Sequence, residues 1–158
     1  MTPYSRMEYL FFARTDCGRV RKNNEDAVAT APEIGLALLA DGMGGYNAGE
    51  VASNMAISIT QHAMARWFAH AGTAPTTSDV RKALQESVQE ANLAVLNTAL
   101  QQPQCAGMGT TLVAAVFVHD RVGLGHMGYS RCYRLRVGQL QQITRDHSWL
   151  QEQMDAGL

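Results

Sequence analysis

The feature that most constrains this sequence is a short apolar run that ends in a carboxylate and several glycines. Residues 34–40 are almost entirely apolar, Asp41 follows them, and four glycines lie within the next eight positions. A run of this length is typical of a buried strand, and the glycines mark the point at which we expect it to stop. Asp41 is therefore predicted at a strand end, where its carboxylate faces an open site.

The backbone beside Asp41 offers a second oxygen ligand. Gly42 has no side chain to shield its carbonyl, and an exposed carboxylate beside a bare carbonyl is a suitable pair of hard ligands for Mg²⁺ or Mn²⁺. The alternative is a tight turn that needs glycines and a solvated aspartate. Taken alone, this segment favours the turn.

A polar segment upstream changes that balance. Residues 21–26 read Arg-Lys-Asn-Asn-Glu-Asp and lead into a second short apolar run, so Asp26 is predicted to open a strand. Two carboxylates at two strand ends can share a pair of metal ions. Arg21 lies close enough in sequence to bind an anion there, using a planar fork of donors.

Five segments carry a family resemblance in a fixed order. They occupy residues 15–26, 40–45 with 49–53, 108–112, 128–131 and 144–148. Together they resemble the motifs of PPM-type (type 2C) metal-dependent protein serine/threonine phosphatases. The Asp-Gly-Met-Gly-Gly sequence at residues 41–45 resembles the form of this motif in the bacterial branch of the family.

The resemblance implies a hydrolase that removes phosphate from phosphoserine and phosphothreonine in proteins, as part of bacterial signalling. In this family, two Mn²⁺ or Mg²⁺ ions activate a water molecule that attacks the phosphate ester. By analogy, Asp41 bridges the two ions, Gly42 contributes its carbonyl, Asp26 holds one ion and Glu25 acts through bound water. Arg21 would bind the phosphate.

Some positions depart from the family pattern. Tyr129 stands where the family usually carries an aspartate that helps to hold a third metal, and a neutral phenol does not replace a carboxylate for these cations, which counts against a third ion. Met43 replaces a histidine that acts as general acid in some relatives. Asp16, Asp146 and His147 match family positions, and we interpret them as structural anchors.

The bulk composition is that of a globular protein. The 158 residues are 46% hydrophobic and 17% charged, with a net charge of −1, which argues against non-specific binding to nucleic acid or membranes. Three cysteines without metal-ligand spacing fit a reducing cytoplasm and predict neither a zinc site nor a disulfide framework. The expected partner is a phosphorylated protein, the substrate of a bacterial serine/threonine kinase.

Hydrophobic periodicity predicts strands followed by two helices and then further strands. We expect helices around residues 51–67, with an apolar stripe from Val51 to Trp67, and around residues 80–95, with Ser78 as N-cap. Short strands are predicted at residues 9–14, 26–30, 34–40, 110–118, 121–126, 130–137 and 139–144. This order indicates an α+β fold.

The resemblance implies two stacked antiparallel sheets flanked by helices. It ends near residues 154–158, so we expect residues 1–158 to form a single domain that lacks its C-terminal strands. A Gly-x-Gly-x-x-Gly pattern at residues 123–128 is not interpreted as a dinucleotide site, because a strand rather than a helix is predicted after it. Two alternatives stay open: a pseudophosphatase that binds a phosphoprotein or kinase, and a hydrolase of small phosphorylated metabolites.

Overall fold

An antiparallel hairpin forms one side of the main sheet in the computed structural model, which describes residues 8–44, 48–72 and 75–157. Its strands are β1 (Asp26–Ala31) and β2 (Leu36–Met43), joined through a short 3-10 turn. Both strands were predicted. However, β2 continues through Asp41 and Gly42 instead of stopping at residue 40. The reason is that a later two-residue strand pairs with Gly42 and Met43, so the glycine does not end the ladder.

Three later strands complete this sheet. They are β3 (Gly109–Thr110), β4 (Leu112–Val118) and β5 (Arg121–Met127). The strand order is β1-β2-β4-β5, all antiparallel, and β3 lies beside the end of β2.

The predicted strands at 130–137 and 139–144 are shorter in the structure, as β6 (Tyr133–Arg136) and β7 (Gln139–Gln142). They pair in a separate two-stranded sheet, and the turn between them falls at Val137 and Gly138. Both turn residues have positive φ, 50° and 74°, as a tight two-residue hairpin turn requires. The α+β class with antiparallel sheets and helices is confirmed.

The two long helices are α1 (Ala48–His70) and α2 (Thr77–Gln101), and a short helix α3 (Trp149–Asp155) follows the last strand. Helices α1 and α2 pack against each other and against the same sheet, α1 on β1 and β2 and α2 on β5. In the described part of the chain, no helix combines the length and apolarity needed to cross a bilayer. The predicted loop positions 45–47 and 73–74 lie outside the described residues.

The buried stripe of α1 differs from the prediction. Val51 is 38% exposed, and the fully buried positions include Ala52, Ala56, Thr60 and Met64. The helix approaches the sheet closely, and such an approach selects small side chains at the contact over the larger ones that the periodicity indicated. For α2 the predicted stripe is confirmed at Val80, Leu84, Ala91 and Val95, all of which are buried.

The residues of β2 alternate between two faces of the sheet. Leu36, Leu38 and Ala40 belong to the core cluster beneath the helices. Alternation places Ala37, Leu39 and Asp41 on the opposite face, where Leu39 is 41% exposed. The acidic position of β2 therefore lies on the face that the helices do not cover.

The predicted strand at residues 9–14 is wrong. These residues form no strand, and they cross the uncovered face of the sheet through aromatic contacts instead. The rings of Tyr9 and Phe11 lie 5.2 and 5.6 Å from the ring of Phe117. Within the described ranges, no neighbouring strand offers these residues a hydrogen-bond ladder.

The N-cap of α2 is Thr76, not Ser78 as predicted. The Asp79 amide donates to the Thr76 hydroxyl at 3.2 Å, and the Thr76 amide donates to the Asp79 carboxylate at 3.0 Å. This reciprocal capping box places the N-cap two residues before the predicted one, and the helix begins at Thr77. The hydrogen bonds from Thr76 hold the pKa of Asp79 below its ordinary value.

We expect Thr76→Ala to lower the free energy of unfolding by about 1 kcal/mol, and Ser78→Ala to change it little. Because the folded-state pKa of Asp79 is depressed, its contribution is present above the unfolded pKa and is lost as the pH falls through the folded value. The cost of Thr76→Ala should therefore shrink below about pH 4. Urea unfolding of both variants at two pH values measures this, and an equal effect of Ser78→Ala would contradict the assignment.

Candidate metal centre

The hairpin register places two carboxylates side by side. Asp26, the first residue of β1, lies directly opposite Asp41 of β2. Residues paired in this way project to the same face of a sheet, and like charges there repel each other. The structure therefore brings together the two aspartates that were predicted to share metal ions.

The electrostatics of Asp41 reflect this crowding. Its pKa is raised, first by partial burial and then by the charge and hydrogen bond of Asp26 and the charge of Glu25. The guanidinium of Arg21 acts in the opposite direction. Three other predicted site residues, Arg21, Glu25 and Asp26, thus act electrostatically on Asp41 at one end of the sheet.

The same residues line an open cleft of about 200 Å³. Its wall consists of Asp16, Cys17, Arg21, Asn23, Asn24, Glu25, Asp26 and Asp41. Carboxylates and a guanidinium in one cleft make it suited to a cation together with an anion. Larger cavities elsewhere, between α2 and β5, are lined mainly by apolar side chains.

Gly42 lets three chain segments meet at the cleft. Its amide donates to the carbonyl of Glu25 at 3.0 Å. A Cβ at Gly42 would lie 2.0 Å from the carbonyl oxygen of Gly49, in the first turn of α1. Only a residue without a side chain permits this approach, which sets the α1 N-terminus against the carboxylate-bearing end of β2.

Glu25 lies slightly apart from the aspartate pair. A Cβ at Gly49 would lie 2.9 Å from the Glu25 carboxylate, so this side chain is held against the first turn of α1. Among the residues that the structure describes, no group of three or more His, Cys, Asp or Glu side chains is arranged for direct metal binding.

The donor set fits a hard divalent cation. Burial, and then the neighbouring carboxylates of Asp26 and Glu25, raise the pKa of Asp41, and a positive ion beside Asp41 would relieve the repulsion between the carboxylates. Oxygen donors of this kind are those that Mg²⁺ and Mn²⁺ prefer. Among the described residues, Asp26 and Asp41 could serve as such donors, and water or further ligands would complete the coordination.

Asp16 and Asp146 accept hydrogen bonds from other residues of the chain. The Gly18 amide donates to Asp16 at 2.8 Å, which closes a local turn beside the cleft. Arg131 donates to both carboxylate oxygens of Asp146, at 2.8 and 3.1 Å. This pairing lowers the pKa of Asp146 and raises that of Arg131, as expected for anchors of the chain.

The chain was compared with known proteins. The model of the protein phosphatase 2C family matches residues 15–153. The chain belongs to the protein phosphatase 2C family. The serine/threonine phosphatase PstP of Mycobacterium tuberculosis is 42% identical over 93% of this chain, and the serine/threonine phosphatase Stp of Listeria monocytogenes is 36% identical over 91% of it.

Solved structures of phosphatase 2C proteins have the same fold. A crystal structure of M. tuberculosis PstP matches 91% of the chain with a TM-score of 0.78. Another, of the PstP catalytic domain with two manganese ions, gives a TM-score of 0.77. The chain spans 57% of the first crystallised chain, 57% of Listeria Stp and 27% of full-length PstP.

Two groups of site residues were missed by the sequence analysis. Asn24 accepts a hydrogen bond from the Asp26 amide at 3.1 Å and donates to Thr15 at 2.8 Å, which holds the start of β1. An Asn two residues before Asp26 is a recognisable Asx pattern, so this contact could have been found. Thr110 and Thr111 hydrogen-bond to the backbone of Asp41, and only the tertiary fold reveals that contact.

Proposed function

We propose that this phosphatase 2C chain takes part in metal-dependent hydrolysis of phosphoserine and phosphothreonine in proteins. The proposal is carried by the Asp26–Asp41 pair, which is directly opposed on paired strands and shares one cleft with Arg21. The similarity to PstP and Stp, both described as serine/threonine phosphatases, supports the substrate class. Substrates of a bacterial serine/threonine kinase are the expected partners.

We assign the roles of the residues by analogy with the family. Asp41 and Asp26, with the carbonyl of Gly42, would hold Mn²⁺ or Mg²⁺, and Glu25 would act through bound water. The metal, when bound, supplies a nucleophilic hydroxide and neutralises charge on the phosphate. Arg21 would bind the phosphate oxygens and orient the phosphorus toward the acidic pair.

A third metal ion is not part of the proposal. Tyr129 is 51% exposed and does not line the cleft of the aspartate pair. Its neutral phenol lacks the carboxylate that such a site requires.

We further propose that residues 1–158 form part of a larger catalytic domain. The sheet face that bears Leu39 and Asp41 is only partly covered, and the side chains of Leu135 and Leu140 on the separate hairpin are about 70% and 69% exposed. Apolar faces of this kind are normally buried against another layer. Strands contributed by a following segment would cover them.

The proposed function is tested by release of phosphate from a phosphothreonine peptide with and without Mn²⁺. We expect release that depends on Mn²⁺ and stops on addition of EDTA. Release from p-nitrophenyl phosphate but not from the peptide would indicate a hydrolase of small substrates. Tight binding of the peptide without release would favour the pseudophosphatase.

Arg21→Ala is expected to weaken binding of the phosphopeptide while leaving Mn²⁺ affinity nearly unchanged. Loss of a charged hydrogen bond to phosphate should raise KM by roughly 10- to 100-fold. Arg19→Ala is the matched control, since Arg19 is an exposed arginine of the same loop that does not line the cleft. Weaker Mn²⁺ binding with unchanged KM would show that the role of Arg21 is wrongly assigned.

A further inference from the structure

The backbone of Asp41 is held by hydrogen bonds at a point where the regular strand pairing is interrupted. The pairing register of β2 with β3 and β4 places Thr111 opposite Asp41, yet Thr111 belongs to neither strand. The Thr111 amide donates to the Asp41 carbonyl at 2.9 Å, as in a normal ladder. In return, the Asp41 amide donates to the hydroxyl oxygen of Thr111 at 3.0 Å. A side chain thus takes the place of a backbone acceptor.

The Thr111 hydroxyl is itself fixed by a second contact. It lies 2.7 Å from the hydroxyl of Ser130, and Thr111 is 1% exposed. Because the Thr111 oxygen accepts from the Asp41 amide, its own proton is free to be donated to Ser130. One buried hydroxyl therefore joins β2 to the loop that follows β5.

Gly128 packs against the other side of Thr111. A Cβ at Gly128 would lie 2.8 Å from the Thr111 methyl group, and its φ of 90° favours glycine. The threonine is thus enclosed, with its methyl on Gly128 and its hydroxyl between Asp41 and Ser130. A side chain confined on both sides has little freedom to leave this rotamer.

We propose that Thr111 is a positioning residue that fixes the Asp41 carboxylate opposite Asp26 for metal binding, an inference that rests on the proposed function. The Gly-Thr-Thr segment and the Gly-Tyr-Ser-Arg segment contribute no ligand to the cleft. Together they hold the end of β2: the Thr111 amide and the Thr110 hydroxyl donate to the Asp41 carbonyl, and the Thr111 hydroxyl accepts from the Asp41 amide. Groups that orient metal ligands in this way control metal affinity without touching the ion.

The test compares Thr111→Val with Thr111→Ser in the full chain by isothermal titration with Mn²⁺. Valine keeps the volume but leaves the Asp41 amide without an acceptor, so Mn²⁺ affinity should fall by roughly 10- to 100-fold. Serine keeps the hydroxyl and should restore most of the affinity. Ser130→Ala, which removes only the outer contact, should have a smaller effect in the same direction.

Thr60→Val is the matched control. Thr60 is fully buried in α1, and its hydroxyl has no hydrogen-bond partner among the described residues. The variant removes a buried threonine hydroxyl without removing a contact of Asp41, so Mn²⁺ affinity should stay at the wild-type level. A general effect of losing a buried hydroxyl would appear in both valine variants.

Two outcomes separate this inference from the proposed function. If the wild type binds Mn²⁺ and Thr111→Val binds it equally well, the positioning role is wrong and the metal site stands. If the wild type binds no Mn²⁺, the proposed function fails. Hydrogen exchange of the Asp41 amide then decides whether Thr111 holds the backbone: protection lost in Thr111→Val and kept in Thr111→Ser supports the contact, and equal exchange overturns it.

Discussion

Asp41→Asn is expected to abolish Mn²⁺ binding and to reduce Mn²⁺-dependent release of phosphate from a phosphothreonine peptide by roughly a thousandfold. A metal ion contributes several kcal/mol to stabilising the charge of the transition state. A neutral amide lacks the negative charge with which the Asp41 carboxylate would hold that ion. Phosphate release and Mn²⁺ titration on the same preparation measure the effect. Residual activity close to that of the wild type would contradict the assignment.

The loss in Asp41→Asn should occur without loss of the fold. In the metal-free protein, the charge of Asp41 is disfavoured by burial and by the neighbouring Asp26 and Glu25. Removing that charge relieves repulsion, so the melting temperature should stay constant or rise. Asp120→Asn is a suitable control, because Asp120 is an exposed carboxylate in the β4–β5 turn, away from the cleft.

Gly42→Ala is expected to be the most damaging substitution for stability. The added Cβ would lie 2.0 Å from the Gly49 carbonyl oxygen and 2.7 Å from the Glu25 carbonyl oxygen. Both contacts are with backbone, which cannot move aside as a flexible side chain can. We expect a loss of about 3 kcal/mol or more in the free energy of unfolding, measured by urea unfolding.

Gly109→Ala provides the matched control for this prediction. Gly109 pairs with Met43 at the same corner of the sheet, and a Cβ there would make only ordinary contact with the flexible Met43 side chain, at 3.7 Å. Its effect should be below about 1 kcal/mol. If Gly42→Ala and Gly109→Ala are equally stable, α1 does not approach β2 as closely as described.

Much of the site could be predicted because its residues carry local signals. Asp26 and Asp41 each adjoin an apolar run of strand length, and two neighbouring strands joined by a short connection pair as a hairpin. That pairing alone is enough to bring the two carboxylates together. Arg21 and Glu25 lie within five residues of Asp26, so they come to the same cleft with it.

The wrong predictions concern features of the fold that depend on contacts between residues far apart in sequence. The end of β2 depends on pairing with Gly109 and Thr110, which are far away in sequence. The local sequence therefore predicts that the strand ends before Gly42, although it continues to Met43. The buried stripe of α1 depends on how closely the helix approaches the sheet, which selected Ala52 and Ala56 over Val51. Propensity alone also could not tell that residues 9–14 have no strand beside them within the described ranges.

The contact of Thr111 with Asp41 was beyond sequence reasoning for the same reason. The two residues are 70 positions apart, and the hydrogen bond uses a side chain in place of a backbone carbonyl. Neither hydrophobic pattern nor turn chemistry marks such an exchange. The resemblance to the family pointed to the Gly-Thr-Thr segment as a motif, and the structure shows what that segment touches.

The central claim is that Asp26 and Asp41 form a site for a divalent cation. Isothermal titration of the wild-type chain with Mn²⁺, repeated with Asp26→Asn and Asp41→Asn, tests it most directly. We expect saturable binding by the wild type, weaker binding by Asp26→Asn and none by Asp41→Asn. Absence of binding by the wild type, or equal binding by all three proteins, would contradict it.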